Sequence, residues 1–191
     1  MALKINDKEG EFLLSIARLA IESKLKGENF HLYDMPYLDL NEKRGVFVTL
    51  TRDNELRGCI GNIHPIHSIY QGVVKNAIAA AFSDSRFKQI TKDELKNIKI
   101  EVSILTEPVK LLVKSRQGIL DNIVEFKYGI VMINNMNEGV FLPQVWKQLP
   151  KKEDFLNHLC LKACILPEMW YDKDTEIYLF EVQKFEEKDY I

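Results

Sequence analysis

The sequence has little of what marks an exported, membrane-bound or nucleic-acid-binding protein. Three of its 191 residues are cysteine, and charges interrupt the apolar residues of the N-terminal stretch. We therefore expect that the chain has no secretory signal. We also expect its thiols to be free and its location to be the reducing cytoplasm. No uncharged apolar run reaches the roughly 18 residues that a membrane span needs. The formal net charge of −2 lacks the basic excess of a dedicated nucleic-acid binder, which makes nucleic acid an unfavoured partner.

Motifs of known chemistry are missing as well. The chain has no glycine-rich dinucleotide loop, no Walker loop, no HExxH and no CxxxCxxC, so it predicts no cofactor. His64 and His67 lack a third ligand nearby, and Pro65 prevents a regular helix through both, so we interpret them as loop residues rather than as a metal site. Cys160 lies on an apolar helical stripe one turn from Cys164, which favours core packing over metal binding.

What is present predicts helices mixed with hairpins. Asn6 and Glu9 form a capping box that starts a helix ending near Gly27, and Thr91 and Glu94 form a second box. The predicted strands are 46–51, 56–61, 98–105, 128–134, 139–145 and 176–185, and the other predicted helices are 68–82, 116–126 and 153–164. Since several strand pairs have hairpin-length connections and no regular βαβ rhythm occurs, the pattern predicts an antiparallel α+β protein.

The stretch LRGCIG, residues 56–61, is the main candidate site. Regular strand alternation places Arg57 and Cys59 on one face, and Leu56, Gly58 and Ile60 then fall on the other. A guanidinium near a thiol favours the reactive thiolate, which makes Cys59 a candidate nucleophile with Arg57 as its activator. The alternative is that Cys59 is a small core residue, the usual fate of a free cysteine.

The glycines of this stretch have two interpretations of their own. Glycine inside a strand usually marks a bulge or a close approach, so Gly58 and Gly61 predict a neighbouring ligand or a packing crossover with the alanine-rich helix at 68–82. Arg57 beside such a gap is suited to hold a carboxylate or phosphate of a small-molecule ligand. Arg86 either pairs with Asp84, which is the favoured interpretation, or faces a ligand cleft.

Three further side chains are candidates in the second half of the chain. Gln144 follows Pro143 among apolar residues, and if it is buried its amide needs partners from the backbone or from a ligand. Trp146 and Trp170 are predicted to be core or rim aromatics. A role for them in base stacking is disfavoured because no basic patch alternates with aromatic residues.

Five segments, taken in order, resemble the AMMECR-type domain family. They are ELRGCIG, AAAFSDSRF, EVSILTEP, GVFLPQV, and FLNHLCLKAC ahead of a tryptophan. The resemblance covers nearly the whole chain and implies an α+β fold of two unequal subdomains, each an antiparallel sheet with helices. We expect 1–62 and 123–191 to form the larger subdomain, with both termini, and 63–122 to be the insert. The strands at 46–51, 56–61, 128–134 and 139–145 and the C-terminal strand would share the larger sheet.

The resemblance also implies a functional setting. Family members in bacteria and archaea are linked to a Memo-type protein and a radical SAM protein, the AmmeMemoRadiSam grouping, with no established biochemical activity. We therefore expect an accessory component that binds a small molecule or a protein in the cleft bordered by LRGCIG. The ligand-binding or signature residues would be Leu56, Arg57, Gly58, Ile60, Gly61, Arg86 and Gln144. The alternatives are a cysteine-dependent enzyme with Cys59 as nucleophile and a nucleic-acid-associated regulator.

Two positions depart from the family pattern. Ser85 stands where the family commonly has the proline of Asp-Pro-Arg-Phe, which frees the local backbone and restores an amide donor. Cys164 stands where the family tends to have the glycine of KAG. A residue in that place often ends a helix in the left-handed conformation, which glycine adopts more easily than cysteine.

Overall fold

The structure, a computed structural model, describes residues 5–31 and 37–188, which form two compact units. Unit 1 comprises the described residues of 1–105 and 183–191, and unit 2 comprises residues 106–182. Each unit combines helices with a four-stranded sheet in which the paired strands are antiparallel, which confirms the α+β prediction. Within the described ranges, no helix is both long and apolar enough to cross a membrane.

Unit 1 is a sheet with helices packed on it. Its helices are α1 (Asp7–Leu25), α2 (Ile69–Phe82) and α3 (Lys92–Leu95), and its strands are β1 (Val46–Arg52), β2 (Glu55–Asn62), β3 (Ile98–Leu105) and β8 (Val182–Glu186). The strand order β2-β1-β3-β8 leaves β2 at an edge. Val46, Val48 and Leu50 of β1 lie opposite Ile104, Val102 and Ile100 of β3, so the alternating apolar residues make one continuous face. Helices α1 and α2 cover the sheet, α1 at β3 and α2 at β1 and β2.

Unit 2 has its own sheet and its own core. It contains the strands β4 (Val109–Lys110), β5 (Gly129–Asn134), β6 (Asn137–Phe141) and β7 (Thr175–Phe180), in the order β4-β7-β5-β6, and the helices α4 (Arg116–Asn122) and α5 (Lys152–Lys162). Trp146 and Phe155 stack in the core with ring centroids 3.7 Å apart. Trp170 is buried in the same cluster, so the prediction that both tryptophans are core or rim residues is confirmed.

The local predictions are confirmed where short-range chemistry decides them. Arg52 pairs with Glu55 across a two-residue turn, Asp53-Asn54, in which both residues have positive φ, and this is a tight hairpin turn. At α1 the side chain of Asn6 accepts from the Glu9 amide at 3.1 Å, and the Glu9 carboxylate accepts from the Asn6 amide at 2.8 Å. This reciprocal pair is the predicted capping box.

The predicted membership of the sheets is wrong. Strand β1 takes β3 as its second partner, whereas the hairpin of β5 and β6 belongs to the sheet of unit 2. The predicted C-terminal strand is two strands, β7 and β8, which join different sheets on either side of Glu181. The expected insert, 63–122, matches neither unit, because α2 packs on β1 and β3 pairs with it. Which hairpins share a sheet is decided by long-range burial, which the local pattern does not encode.

Candidate functional site

A β-bulge changes the geometry of the LRGCIG strand. Leu50 pairs with Gly58 and Thr51 pairs with Leu56, so Arg57 is an extra residue without a partner in β1. Cross-strand partners share a face, and Thr49, the partner of Cys59, lies on the same face of β1 as Thr51. Leu56 and Cys59 therefore share a face, and the predicted regular alternation, with Leu56 beside Gly58, is wrong at the bulge.

Both glycines of the strand are explained by packing. A Cβ on Gly58 would lie 2.3 Å from the carbonyl oxygen of Ala80, so the backbone of α2 fills the space that a side chain would need. A Cβ on Gly61 would lie 2.2 Å from the ring of Phe47, its partner in β1. The packing crossover with the alanine-rich helix is confirmed for Gly58, and a cross-strand aromatic covers Gly61.

Arg57 is held by Glu94 of α3. Its Nε donates to Oε1 of Glu94 at 2.6 Å, and its Nη2 donates to Oε2 at 3.1 Å and to the carbonyl oxygen of Lys88 at 2.8 Å. Its guanidinium also lies 5.7 Å from the centroid of the Phe87 ring, and its Nη1 is buried with no acceptor among the described residues. The charge of Arg57 is thus matched by a carboxylate, which lowers the pKa of Glu94 below its ordinary value, chiefly through this hydrogen bond.

The Glu94 interaction departs from the sequence-based prediction. Thr91 accepts from the Glu94 amide at 3.3 Å, as a helix cap should. The Glu94 carboxylate, however, binds Arg57 instead of returning to the cap, so the second predicted capping box is half wrong. Sequence reasoning missed Glu94 as the partner of Arg57 because the two residues lie 37 positions apart.

Asp84 and Arg86 clip the open edge of β2 at Cys59. Oδ2 of Asp84 accepts from the Cys59 amide at 2.9 Å, and Nη2 of Arg86 donates to the Cys59 carbonyl oxygen at 3.3 Å. The two side chains also pair with each other, with Nε to Oδ1 at 2.9 Å and Nη2 to Oδ2 at 2.7 Å. This fork gives Cys59 the donor and acceptor that a neighbouring strand would supply, and so it protects an edge strand. We call Asp84 and Arg86 the edge clip.

Electrostatics make the edge clip a permanent ion pair. The side chain of Asp84 is only 4% exposed, whereas that of Arg86 is 54% exposed. The hydrogen bond from Arg86 holds the pKa of the Asp84 carboxyl far below its ordinary value, against the opposing effect of burial. The same bond raises the pKa of Arg86, against the opposing effect of burial, and the charge of Asp84 adds to the rise. The favoured prediction, a local pair of Asp84 with Arg86, is confirmed.

The sulfur of Cys59 lies beside a hydroxyl group rather than beside a base. The residue is half-buried, and its Sγ lies 3.4 Å from the hydroxyl oxygen of Thr49. The carboxylate that contacts Cys59 at the strand edge is that of Asp84. Because the pKa of this carboxyl is low, it is a poor proton acceptor. The guanidinium of Arg57 binds Glu94, and that of Arg86 binds Asp84 and the carbonyl oxygen of Cys59.

Exposed side chains beside the edge clip form a mixed surface. Leu56 is 44% exposed on the face that it shares with Cys59, and Phe87 lies under two guanidinium groups, 5.4 Å from Arg86 and 5.7 Å from Arg57. Nε and Nη2 of Arg86 are engaged, but no described residue accepts from its Nη1. We call Leu56, Cys59, Arg86 and Phe87 the β2-edge surface. Ile60 packs instead against the core of unit 1.

The other candidates lie apart from this surface in the chain. Gln144 belongs to unit 2, in the 3₁₀ helix Pro143–Lys147, and its side chain is exposed rather than buried among apolar groups. His67 contacts the ammonium of Lys75 at 3.1 Å. Among the residues that the structure describes, no three histidine, cysteine, aspartate or glutamate side chains converge as metal ligands.

Two cysteines of unit 2 differ sharply. Cys160 is buried in the core against Met132, and burial raises the pKa of its thiol to about 11. Cys164 is exposed, with φ 58°. Its amide donates to Leu161 O and the amide of Ile165 donates to Cys160 O, both at 3.0 Å, which is a Schellman motif at the end of α5. The left-handed conformation expected at the KAG position is therefore present, with cysteine in the place of glycine.

Comparisons with known proteins agree with the fold and the motifs. The sequence model of the AMMECR1 family matches residues 14–185. Protein MK0488 of Methanopyrus kandleri is 42% identical, with 99% of this chain and 93% of that protein covered. Protein NEQ441 of Nanoarchaeum equitans is 41% identical, with 92% and 98% covered. The crystal structure of an uncharacterized protein, PH0010 of Pyrococcus horikoshii, matches with a TM-score of 0.88 at 37% identity, with 97% of this chain and 95% of that chain covered. The chain therefore belongs to the AMMECR1 family.

Proposed function

We propose that this AMMECR1-family chain is an accessory binding component that acts with a Memo-type and a radical SAM protein. The β2-edge surface would be its recognition surface, with an acidic group of the partner or ligand bound by Arg86. The observation that carries this proposal is the edge clip: a buried carboxylate fixes Arg86 in place while the Arg86 side chain stays 54% exposed. Arginine is enriched at interface hot spots, and an arginine that is already held in place loses little conformational entropy when it binds a partner.

The geometry around Cys59 favours binding over covalent catalysis. A cysteine nucleophile needs a base within reach that takes the proton of its thiol. The contacts of Cys59 are the Thr49 hydroxyl and the edge clip, and the low pKa of Asp84 keeps that carboxylate from serving as the base. Arg57, the expected activator, is matched by Glu94. These contacts support a structural thiol within a recognition surface.

Complex formation in purified mixtures tests the proposal. The chain is mixed with Memo-type and radical SAM proteins from an organism that encodes all three, and sedimentation velocity measures association. Leu56→Asp places a charge on the β2-edge surface without disturbing the core, since Leu56 is 44% exposed. We expect at least a tenfold loss of affinity, about 1.4 kcal/mol, from this charge at the interface.

Leu161→Asp is the matched control, because Leu161 is a similarly exposed leucine, 55% exposed, in unit 2. It should leave association unchanged. The proposal is overturned if the wild-type chain binds neither protein. Equal loss in both variants would overturn the assignment of the β2-edge surface.

A further inference from the structure

We propose that a cavity between α1 and α3 binds a small organic anion with an apolar body. The cavity lies in unit 1 and has a volume of about 300 Å³. Its lining residues are Arg18, Glu22, Leu25, Lys26, Lys92, Leu95 and Lys96. None of these belongs to the β2-edge surface, so the inference is independent of the proposed function.

Helical spacing brings these side chains together. Arg18, Glu22 and Leu25 recur at intervals of four and three residues along α1, which puts them on one helix face. In α3 and its C-cap, Leu95 and Lys96 lie three and four residues after Lys92, which places both on the same helix face as Lys92. The two faces meet at the cavity, with a leucine contributed from each side.

The two leucines that line the cavity pack against the core of unit 1. Leu95 is buried in the core of unit 1, and Leu25 packs partly buried against the same cluster. Arg18 forms a fixed wall, because its Nη2 donates to the Ile98 carbonyl oxygen at 2.7 Å and its Nε donates to Glu187 at 2.7 Å. A concave, largely apolar space of this size with a few polar groups at its rim has the form of a small-molecule site.

The rim carries an excess of positive charge. Glu187 offsets the charge of Arg18, but no described residue forms an ion pair with the ammonium group of Lys26, Lys92 or Lys96. The lining thus contains three lysines and one carboxylate, Glu22, besides the neutralised Arg18, in a chain whose net charge is −2. A local excess of one sign around a low-dielectric wall concentrates ions of the opposite sign.

The chemistry of the rim restricts the ligand. A volume of about 300 Å³ stands at the lower end of ligand cavities, which fits one ring or a short aliphatic chain. Lysines act as point charges without the planar fork of arginine, so they accept a compact phosphate or carboxylate head alike. The ligand class is therefore an aryl or short alkyl phosphate or carboxylate.

Salicylate, a fluorescent anion with a single aromatic ring, is the probe that tests the cavity in the full chain. We expect saturable binding by the folded protein. The double variant Lys92→Gln/Lys96→Gln should bind about tenfold more weakly, and Glu22→Gln should bind about threefold more tightly, since both changes act through charge near the probe. The matched control is Lys24→Gln/Lys147→Gln, which removes the same charge at two exposed lysines outside the lining and should bind as the wild type does.

Competition then identifies the head group. Because lysines accept either head group, we expect both phenyl phosphate and benzoate to displace the probe. Displacement by only one of them restricts the ligand class to phosphates or to carboxylates. The inference is overturned if the wild type shows no saturable binding or if neither competitor displaces the probe. Equal affinities of the Lys92/Lys96 variant and its control would overturn it too. Circular dichroism melts of each variant confirm that folded proteins are compared.

Discussion

Two carboxylates, those of Asp84 and Glu94, each bind an arginine beside β2, but the two arginines differ in their exposure to solvent. Glu94 binds Arg57 where both side chains are largely buried, at 13% and 16% exposure. Asp84 is more deeply buried but leaves its arginine half in solvent and bonds the Cys59 backbone as well. The arginine of the LRGCIG signature is therefore largely buried against Glu94, whereas the half-exposed arginine of this edge comes from the SDSRF segment, more than 25 residues further along the chain.

The largest expected effect is that of Asp84→Asn. The amide keeps the shape of the side chain but removes the charge that Arg86 neutralises and one of the acceptors that Arg86 and Cys59 use. Because Arg86 is 54% exposed, its charge stays hydrated, and the loss of the charge-assisted hydrogen bonds should lower the free energy of unfolding by about 2 kcal/mol. Urea denaturation at pH 7 measures it, and a loss below about 1 kcal/mol would contradict the central role of the edge clip.

Glu94→Gln should cost less, about 1.5 kcal/mol, because the Lys88 carbonyl oxygen still accepts from Arg57, whereas Asp84 bonds the Cys59 backbone as well as Arg86. The same urea experiment applies. If Glu94→Gln proved more destabilising than Asp84→Asn, the ranking of the two carboxylates would be reversed.

The pH dependence of the Asp84→Asn effect sharpens the comparison. Folding lowers the pKa of Asp84, so its contribution is complete above its unfolded pKa of about 4 and is lost as the pH falls toward the folded value. The difference in unfolding free energy between wild type and Asp84→Asn should be constant from pH 7 to 5. Below pH 4 it should shrink by about 1.4 kcal/mol per pH unit. A difference that stays constant down to pH 3 would show that the charge of Asp84 is not what stabilises the clip.

Restoring the family residues gives the smallest effects. Cys164→Gly should raise stability by about 1 kcal/mol, because glycine adopts φ 58° without strain. Ser85→Pro should add about 0.5 kcal/mol, because Ser85 is exposed at the second position of the turn closed by the Phe87 amide and the Asp84 carbonyl oxygen.

These two variants also distinguish an effect on the edge clip from an effect on the stability of the whole chain. Ser85→Pro acts on the chain between Asp84 and Arg86, so it should strengthen the edge clip and slow amide exchange at Cys59. Cys164→Gly lies in unit 2 and should leave that exchange unchanged. Slower Cys59 exchange in both variants would mean that stability alone, and not the clip, sets the protection of this amide.

The sequence is sufficient to predict the local features of the site but not its long-range contacts. The pairing of Asp84 with Arg86 and the left-handed residue Cys164 follow from neighbours one to four positions away, so local patterns suffice to predict them. The bulge at Arg57 leaves no mark in the hydrophobic alternation, and its partner Glu94 is distant in sequence. The sheet of each unit is likewise set by burial across the fold, which is why the sequence pairs β1 correctly with β2 but wrongly places β5 and β6 in the same sheet.

Alkylation of the three cysteines by iodoacetamide, followed by mass spectrometry from pH 6 to 9, tests most directly whether the LRGCIG strand is a brace and recognition surface or a reactive centre. Exposed Cys164 serves as the internal reference, and buried Cys160 reports unfolding. Because Cys59 is half-buried beside Thr49 without a base, it should react more slowly than Cys164 at every pH. Faster labelling of Cys59 than of Cys164 at pH 6, with Cys160 untouched, would contradict the account and favour the nucleophile.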